Sequence, residues 1–71
     1  MGTLRINSQP WSQVYVNDAL VGNTPQMSLQ LPVGRHKVTL VNPEFGVRKT
    51  IDVKIDNGKT LTRIEVLAPP G

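Results

Sequence analysis

Residues 51–65 read IDVKIDNGKTLTRIE, and this stretch indicates an all-β fold. Ile51, Val53 and Ile55 recur at every second residue, which is the period of a β-strand with one buried face. The dipeptide Asn57-Gly58 follows, and both residue types readily adopt the positive φ that the tightest hairpin turns require. The stretch therefore predicts two antiparallel strands joined by a two-residue turn.

The turn also predicts which residues of the two strands lie opposite each other. A two-residue loop fixes the register of a hairpin, and a slip by one residue would move every side chain to the other face of the sheet. On one face the predicted pairs are Ile55 with Thr60, Val53 with Thr62, and Ile51 with Ile64. On the other face they are Lys54 with Leu61, Asp52 with Arg63, and Thr50 with Glu65.

Glycine and proline cut the rest of the chain into short runs rich in Val, Ile, Thr and Leu, which is typical of an all-β domain. The runs at residues 3–8, 13–17, 20–21, 27–31 and 35–41 are predicted strands. Tight turns are predicted at Asn17-Asp18, at Pro25, at Gly34 and at Asn57-Gly58. We therefore predict a small antiparallel β-sandwich of six or seven short strands and no helix. A closed five- or six-stranded barrel of the OB or SH3 type is the alternative.

Alternation within these strands predicts the core. The side chains expected to face inward are Leu4, Ile6, Val14, Val16, Met27, Leu29, Leu31, Val38 and Leu40. Lys49 breaks the pattern, because strict alternation would direct its ammonium group into the sandwich. We therefore predict a β-bulge near Arg48 and Lys49 that turns this side chain outward.

Length and composition restrict the class of protein. A chain of 71 residues, 38% of them hydrophobic, suits one small domain. Cysteine is absent, which excludes disulfides and thiolate zinc sites, and a single histidine cannot form a multi-histidine metal centre. No run approaches the ~20 apolar residues of a membrane span, and the first residues lack the pattern of a signal peptide. Residues 1–2 are interpreted as an added start, residues 3–67 as the domain, and residues 68–71 as a proline-rich linker or tail.

The polar residues do not predict an active site. His36 lies between Arg35 and Lys37 with no carboxylate nearby in sequence, and it is interpreted as a structural histidine at a sheet edge. The five carboxylates do not have the spacing of a calcium-binding loop. We therefore predict a domain that is not an enzyme and holds no cofactor or metal.

Aromatic and basic residues form a candidate interaction patch. Its members are Trp11, Tyr15, Arg35, Lys37, Arg48 and Arg63, and Lys49 and Lys54 lie in the same segments. Two structural interpretations compete with a binding role: Trp11 caps one end of the sandwich, and the basic residues form a solvated sheet face. The net charge of +3 is low for avid nucleic-acid binding.

Several motifs of the chain resemble those of PEGA domains in their order and spacing. They are GTLRINS at residues 2–8, VYVND at 14–18, GNTP at 22–25 and LQLPVGRHKV at 29–38. The chain departs from the PEGA pattern at Asn17-Asp18, where Asp-Gly is usual. It also departs at residues 44–46, where Gly-Tyr is usual and Phe45 is expected to be the packed aromatic. The resemblance covers nearly the whole chain and concerns turns and strands, so it implies a fold and no chemistry.

The resemblance implies an accessory domain of a larger protein. PEGA domains occur in bacterial and archaeal surface-associated proteins and as appendages of bacterial serine/threonine kinases, and residues 10–16 (PWSQVYV) look most like the kinase-appended kind. The chain itself has no kinase motif. We therefore predict a non-catalytic spacer or protein-interaction module whose partner is another protein or domain. Exposed edge strands also permit self-association. The alternatives are a carbohydrate or cell-wall binder that uses Trp11 and Tyr15 and, less favoured, an OB-like nucleic-acid binder.

Overall fold

Seven β-strands make up most of the chain in a computed structural model that describes residues 1–67. They are β1 (Gly2–Gln9), β2 (Gln13–Val16), β3 (Ala19–Asn23), β4 (Gln26–Leu31), β5 (Gly34–Asn42), β6 (Val47–Ile55) and β7 (Thr60–Val66). No helix is present between residues 1 and 67, and so none that could cross a membrane. The predicted all-β class and strand number are confirmed. The predicted tail at residues 68–71 lies outside the described residues.

The strands form two packed sheets. Sheet A has three strands in the order β4-β1-β7, and sheet B has four in the order β3-β2-β5-β6. All pairs are antiparallel except β1 with β7, which run parallel. The predicted sandwich is therefore confirmed in place of the barrel, and the parallel pair is a feature that the sequence did not predict.

The core lies between the two sheets, where β1, β2, β5 and β6 contribute alternating apolar residues. The fully buried apolar side chains include Leu4 and Ile6 of β1, Val14 of β2, and Val38 and Leu40 of β5. Burying each such side chain contributes roughly 1.5–3 kcal/mol, so this alternation accounts for most of the stabilisation of a domain without disulfides. The inward orientation predicted for these residues is confirmed. Leu29 and Leu31 are partly buried against them, whereas Met27 is 52% exposed, so the inward position predicted for Met27 is wrong.

The predicted hairpin at residues 51–65 is wrong. β6 pairs with β5 in sheet B, and β7 pairs with β1 in sheet A, so the chain crosses between the sheets at the Asn57-Gly58 turn. Only Gly58 of this dipeptide has a positive φ, at 71°. The Gly58 N–H donates to the Met1 carbonyl oxygen at 3.0 Å, and the Met1 ammonium group donates to Asn57 Oδ1 at 3.0 Å. The turn is therefore tied to the start of β1.

The crossing reverses the predicted faces of β7. Leu61 is half-buried and Leu67 is buried, whereas Ile64 and Val66 are 71% and 69% exposed. Period-two patterning defines two faces of a strand but does not define which strand lies beside it. A local turn signal is equally compatible with a hairpin and with an arch between two layers.

The predicted β-bulge near Arg48 and Lys49 is also wrong. The register between β5 and β6 is uninterrupted, and Lys49 lies opposite Leu40, so its side chain points toward sheet A. Its ammonium group forms an ion pair with Glu65 of β7, with 3.2 Å between Nζ and Oε2. A charge at the margin of the core is accommodated because the facing strand supplies a carboxylate. The register shifts lie instead between β1 and β4 and between β2 and β3.

The tight turn at Asn17-Asp18 is confirmed. Both residues have positive φ, at 49° and 69°, as a two-residue turn between β2 and β3 requires. The Asn17 side chain also links this turn to β5, because Oδ1 accepts the Lys37 N–H at 3.0 Å. Gly34 begins β5 with a φ of 130°, a backbone conformation that other residue types rarely adopt.

Candidate functional site

The outer face of sheet B carries most of the predicted interaction patch. We use the name basic face for the outward side chains of β2, β5 and β6. These are Gln13, Tyr15, Arg35, Lys37, Thr39, Val41, Arg48, Thr50, Asp52 and Lys54, as the strand registers define them. Four cations and one carboxylate share this surface. Four of the predicted residues, Tyr15, Arg35, Lys37 and Arg48, are therefore brought together.

A shallow groove of about 360 Å³ crosses the basic face. It is lined by Tyr15, Thr39, Val41 and Arg48 and by Asp18 from the β2–β3 turn. Thr39 is buried beneath its neighbours, and its hydroxyl lies 3.3 Å from that of Thr50. An aromatic ring and a guanidinium group that line the same groove offer apolar contact together with bidentate hydrogen bonding, which suits a carboxylate-bearing ligand.

The cations around the groove differ in how they are neutralised. Lys37 pairs with Asp18 at 2.9 Å on the surface, where such a pair contributes little to stability. Arg35, Arg48 and Lys54 form no ion pair with any residue between 1 and 67. Arg35 lies directly opposite Lys54, and like charges in a cross-strand pair repel each other. The basic face therefore has charge that an acidic partner would neutralise.

Arg63 does not belong to the basic face. It lies on β7 of sheet A, where its guanidinium Nη2 contacts Glu65 Oε1 at 3.1 Å. The predicted pair of Arg63 with Asp52 is wrong, since Asp52 lies opposite Lys37 on the outer face of sheet B. Lys49 completes the group with Arg63 and Glu65, and we call these three residues the intersheet charge cluster.

The intersheet charge cluster changes the acidity of its carboxyl group. The hydrogen bond from Arg63 is the largest cause that lowers the pKa of Glu65, and the Lys49 hydrogen bond and the two positive charges act in the same direction. Burial of Glu65 acts in the opposite direction, because a charged carboxylate is less well solvated there. The cations prevail, so Glu65 is held in its ionised form.

Trp11 lies in the β1–β2 loop and is 41% exposed. Its carbonyl oxygen accepts a 2.7 Å hydrogen bond from Nδ2 of Asn42, a fully buried residue at the end of β5. Asn42 Oδ1 in turn accepts the Phe45 N–H at 2.9 Å, so one amide side chain joins the two loops that carry Trp11 and Phe45. Phe45 is 50% exposed and is therefore not the packed aromatic that the resemblance implied. Sequence reasoning missed Asn42.

The model of the PEGA domain family matches residues 1–69. This chain belongs to the PEGA domain family. No curated protein and no solved structure matches it. The family is a non-catalytic one. Within residues 1–67 no three His, Asp or Glu side chains converge as metal ligands would.

The Thr-Pro turn of this PEGA domain holds a cluster of three hydroxyl groups. Ser8 Oγ lies 2.9 Å from the Pro10 carbonyl, 2.8 Å from Ser12 Oγ and 3.0 Å from Thr24 Oγ1. Thr24 Oγ1 also accepts the Ser12 N–H at 2.9 Å. One arrangement satisfies every proton, because Ser8 donates to the carbonyl and accepts from both other hydroxyls. The cluster therefore has a structural role, which joins β1 to the turns at Ser12 and Thr24.

The single histidine of the PEGA domain is also held by structural contacts. His36 Nε2 lies 2.7 Å from the Pro32 carbonyl oxygen, and Nδ1 lies 2.9 Å from Asn17 Nδ2. A neutral ring with its proton on Nε2 satisfies both contacts, because the carbonyl accepts and the amide donates. His36 thus links the β4–β5 turn to the Asn17-Asp18 turn, and neither contact is with a carboxylate or a hydroxyl group.

Proposed function

We propose that this PEGA domain is a non-catalytic spacer module of a larger bacterial multi-domain protein. The observation that carries the proposal is the parallel pairing of β1 with β7, the first and last strands. Parallel neighbours begin at the same end of a sheet and finish at the other. The chain therefore enters the module at one end and leaves it at the opposite end.

Contacts at the two ends of the sandwich support this orientation. Met1 lies beside the Asn57-Gly58 turn, whereas Leu67 donates its N–H to the Gln9 carbonyl at the far end of β1. The described part of the chain measures 39 × 18 × 18 Å. An elongated body with entry and exit at opposite ends separates the segments that flank it. A serine/threonine kinase is the parent protein that residues 10–16 favour by resemblance.

The spacer proposal is tested by a distance measurement. Fluorophores placed at the two ends of the module are expected to give a narrow distance distribution that does not change with salt. A flexible Gly/Ser linker of equal length is the matched control and should give a broad distribution. A distribution as broad as that of the linker would reject the spacer role.

The groove on the basic face favours a second role, the binding of an acidic protein segment. Arg48 and Tyr15 line the groove, and the cations around it exceed the carboxylates. Weakened binding of an acidic peptide by Arg48→Ala and Tyr15→Ala, measured by NMR titration, would support this role. Arg5→Ala is the matched control, because Arg5 is exposed on β1 of sheet A. Preferential binding of an oligosaccharide would instead favour a carbohydrate-binding role, and preferential binding of an oligonucleotide would favour a nucleic-acid-binding role.

A further inference from the structure

The β1–β7 ladder joins the first strand of the module to the last along the length of sheet A. Seven consecutive residue pairs, from Thr3 with Thr60 to Gln9 with Val66, are in register without a bulge. The Thr3 N–H donates to the Lys59 carbonyl at 2.9 Å at one end, and the Leu67 N–H donates to the Gln9 carbonyl at 2.7 Å at the other. The ladder therefore extends over the full length of both strands.

We infer that this ladder is a mechanical clamp, which makes the module a spacer that resists tension. The inference rests on the proposed spacer function. Tension applied through the flanking segments would pull β1 toward its start at Gly2 and β7 toward its end at Val66. These directions are opposite and parallel to the strands, whereas the hydrogen bonds run across them. All bonds of the ladder would then be loaded at the same time, in shear.

The strands that receive the load are anchored in the core. Leu4 and Ile6 of β1 are fully buried, and β1 also pairs with β4 on its other side. Leu67 follows β7 directly and is buried, and Glu65 is held by Lys49 of β6. Among the described strands β7 pairs only with β1, so sliding of β7 along β1 is the event that tension must cause.

The direction of loading distinguishes a clamp from a merely stable domain. Tension applied between residue 1 and residue 59 would act at one end of the same two strands, because Met1 contacts Asn57 and Gly58. The ladder would then open one bond at a time, and each bond alone resists little. The clamp therefore predicts a resistance that depends on where force is applied, in a protein of unchanged equilibrium stability.

Single-molecule force spectroscopy of the 71-residue chain between reference domains tests the inference. Single cysteines placed beyond the two termini attach the first pair of handles, and a second preparation uses the N-terminus and Lys59→Cys. The native sequence has no cysteine, so attachment is specific. We expect the unfolding force between the termini to be several times that between residues 1 and 59. Equal forces in the two geometries would overturn the inference.

Proline substitutions provide a matched comparison on one strand. Backbone groups of odd-numbered β7 residues point to β1, as Leu67 and Lys59 do, and those of even-numbered residues point away. Arg63→Pro removes a ladder bond and is expected to lower the force between the termini, whereas Ile64→Pro retains the ladder. Equal forces in two folded variants would count against the clamp. If Arg63→Pro does not fold, the comparison of the two pulling geometries tests the clamp. A narrow distance distribution between the two ends would still support the spacer role if the clamp is rejected.

Discussion

Lys49 of β6 and Glu65 of β7 form an ion pair across the gap between the two sheets, with 3.2 Å between Nζ and Oε2. Strands β6 and β7 are consecutive in the chain but belong to different sheets. The pair therefore connects through side chains the same two strands that the Asn57-Gly58 turn connects through the backbone. Because Arg63 contacts the other carboxylate oxygen, Glu65 is bound by two cations.

The stability of the domain should decrease in acid through Glu65. Its pKa is lowered in the folded state, so both states are ionised well above the ordinary value of 4.5 and the contribution is then complete. As the pH falls through 4.5 the unfolded chain binds the proton first, and the contribution decreases until the folded carboxylate is also protonated. Urea unfolding at several pH values should show this decrease for the native sequence. Glu65→Gln should be less stable at pH 7 and show a smaller decrease, and identical pH profiles would contradict the assignment.

The hydroxyl group of Thr24 should contribute to stability. Thr24→Val keeps the shape of the side chain but leaves the Ser12 N–H without its acceptor and Ser8 with one partner fewer. We expect a loss of about 1–3 kcal/mol in the free energy of unfolding, which chemical denaturation measures. Thr62→Val on the exposed face of β7 is the control and should change stability by less than about 0.5 kcal/mol. Equal effects of the two substitutions would show that the cluster is unimportant.

Removal of the Asn42 amide should alter both stability and the environment of Trp11. Asn42→Ala leaves the Trp11 carbonyl and the Phe45 N–H unsatisfied at the end of the sandwich. The expected loss is about 1–3 kcal/mol. The fluorescence of Trp11, the only tryptophan, should shift to longer wavelength as the loop loosens. Asn23→Ala is the control, and an unchanged spectrum in Asn42→Ala would show that the amide does not position the loop.

Self-association through an edge strand stays a prediction. The exposed edge of β7 specifies the register in which two copies would pair. Antiparallel pairing of two copies about Ile64 would place Ile64 against Ile64 and Thr62 against Val66. The same register places Arg63 against Glu65, so opposite charges meet. This strand has no proline or glycine, and its outward residues are 71% exposed at Ile64 and 69% exposed at Val66. Such edges favour pairing with another chain.

Sedimentation at protein concentrations up to about 1 mM should detect this association, because an interface of one strand is small and weak. Ile64→Lys places two like charges opposite each other and should reduce dimer formation roughly tenfold or more. Leu20→Lys, at an exposed position on β3, is the control and should have no effect. A native chain that remains monomeric at the highest concentration would refute the predicted pairing.

Much of the fold could be predicted from local pattern. Alternating apolar residues predicted the strands and the inward positions of Leu4, Val14 and Leu40, because the period of a strand is a property of the backbone alone. The Asn17-Asp18 turn was predicted for the same reason, since positive φ is a preference of the residues themselves. The motifs at residues 2–8, 14–18, 22–25 and 29–38 together indicated the family.

The candidate site was predicted only in part. The basic face carries four of the residues that were expected in one patch, namely Tyr15, Arg35, Lys37 and Arg48. Their strands are neighbours, and the alternation along each strand directs these side chains to the same face of the sheet. Arg63 was assigned to the same patch because the predicted hairpin placed β7 beside β6. Since β7 pairs with β1 instead, Arg63 does not lie on the basic face. Asn42 was missed because its two hydrogen bonds reach residues in separate loops, and no local pattern marks such a contact.

The sequence alone determined the strands, their buried faces at most positions, and the tight turn at Asn17-Asp18, because each depends on residues close together in the chain. Only the tertiary structure decided that β7 leaves its sequence neighbour β6 and lies parallel to β1. That choice depends on how the buried surfaces of all seven strands are shared between two layers. It determines which charges meet at Glu65 and places the entry and exit of the chain at opposite ends of the domain.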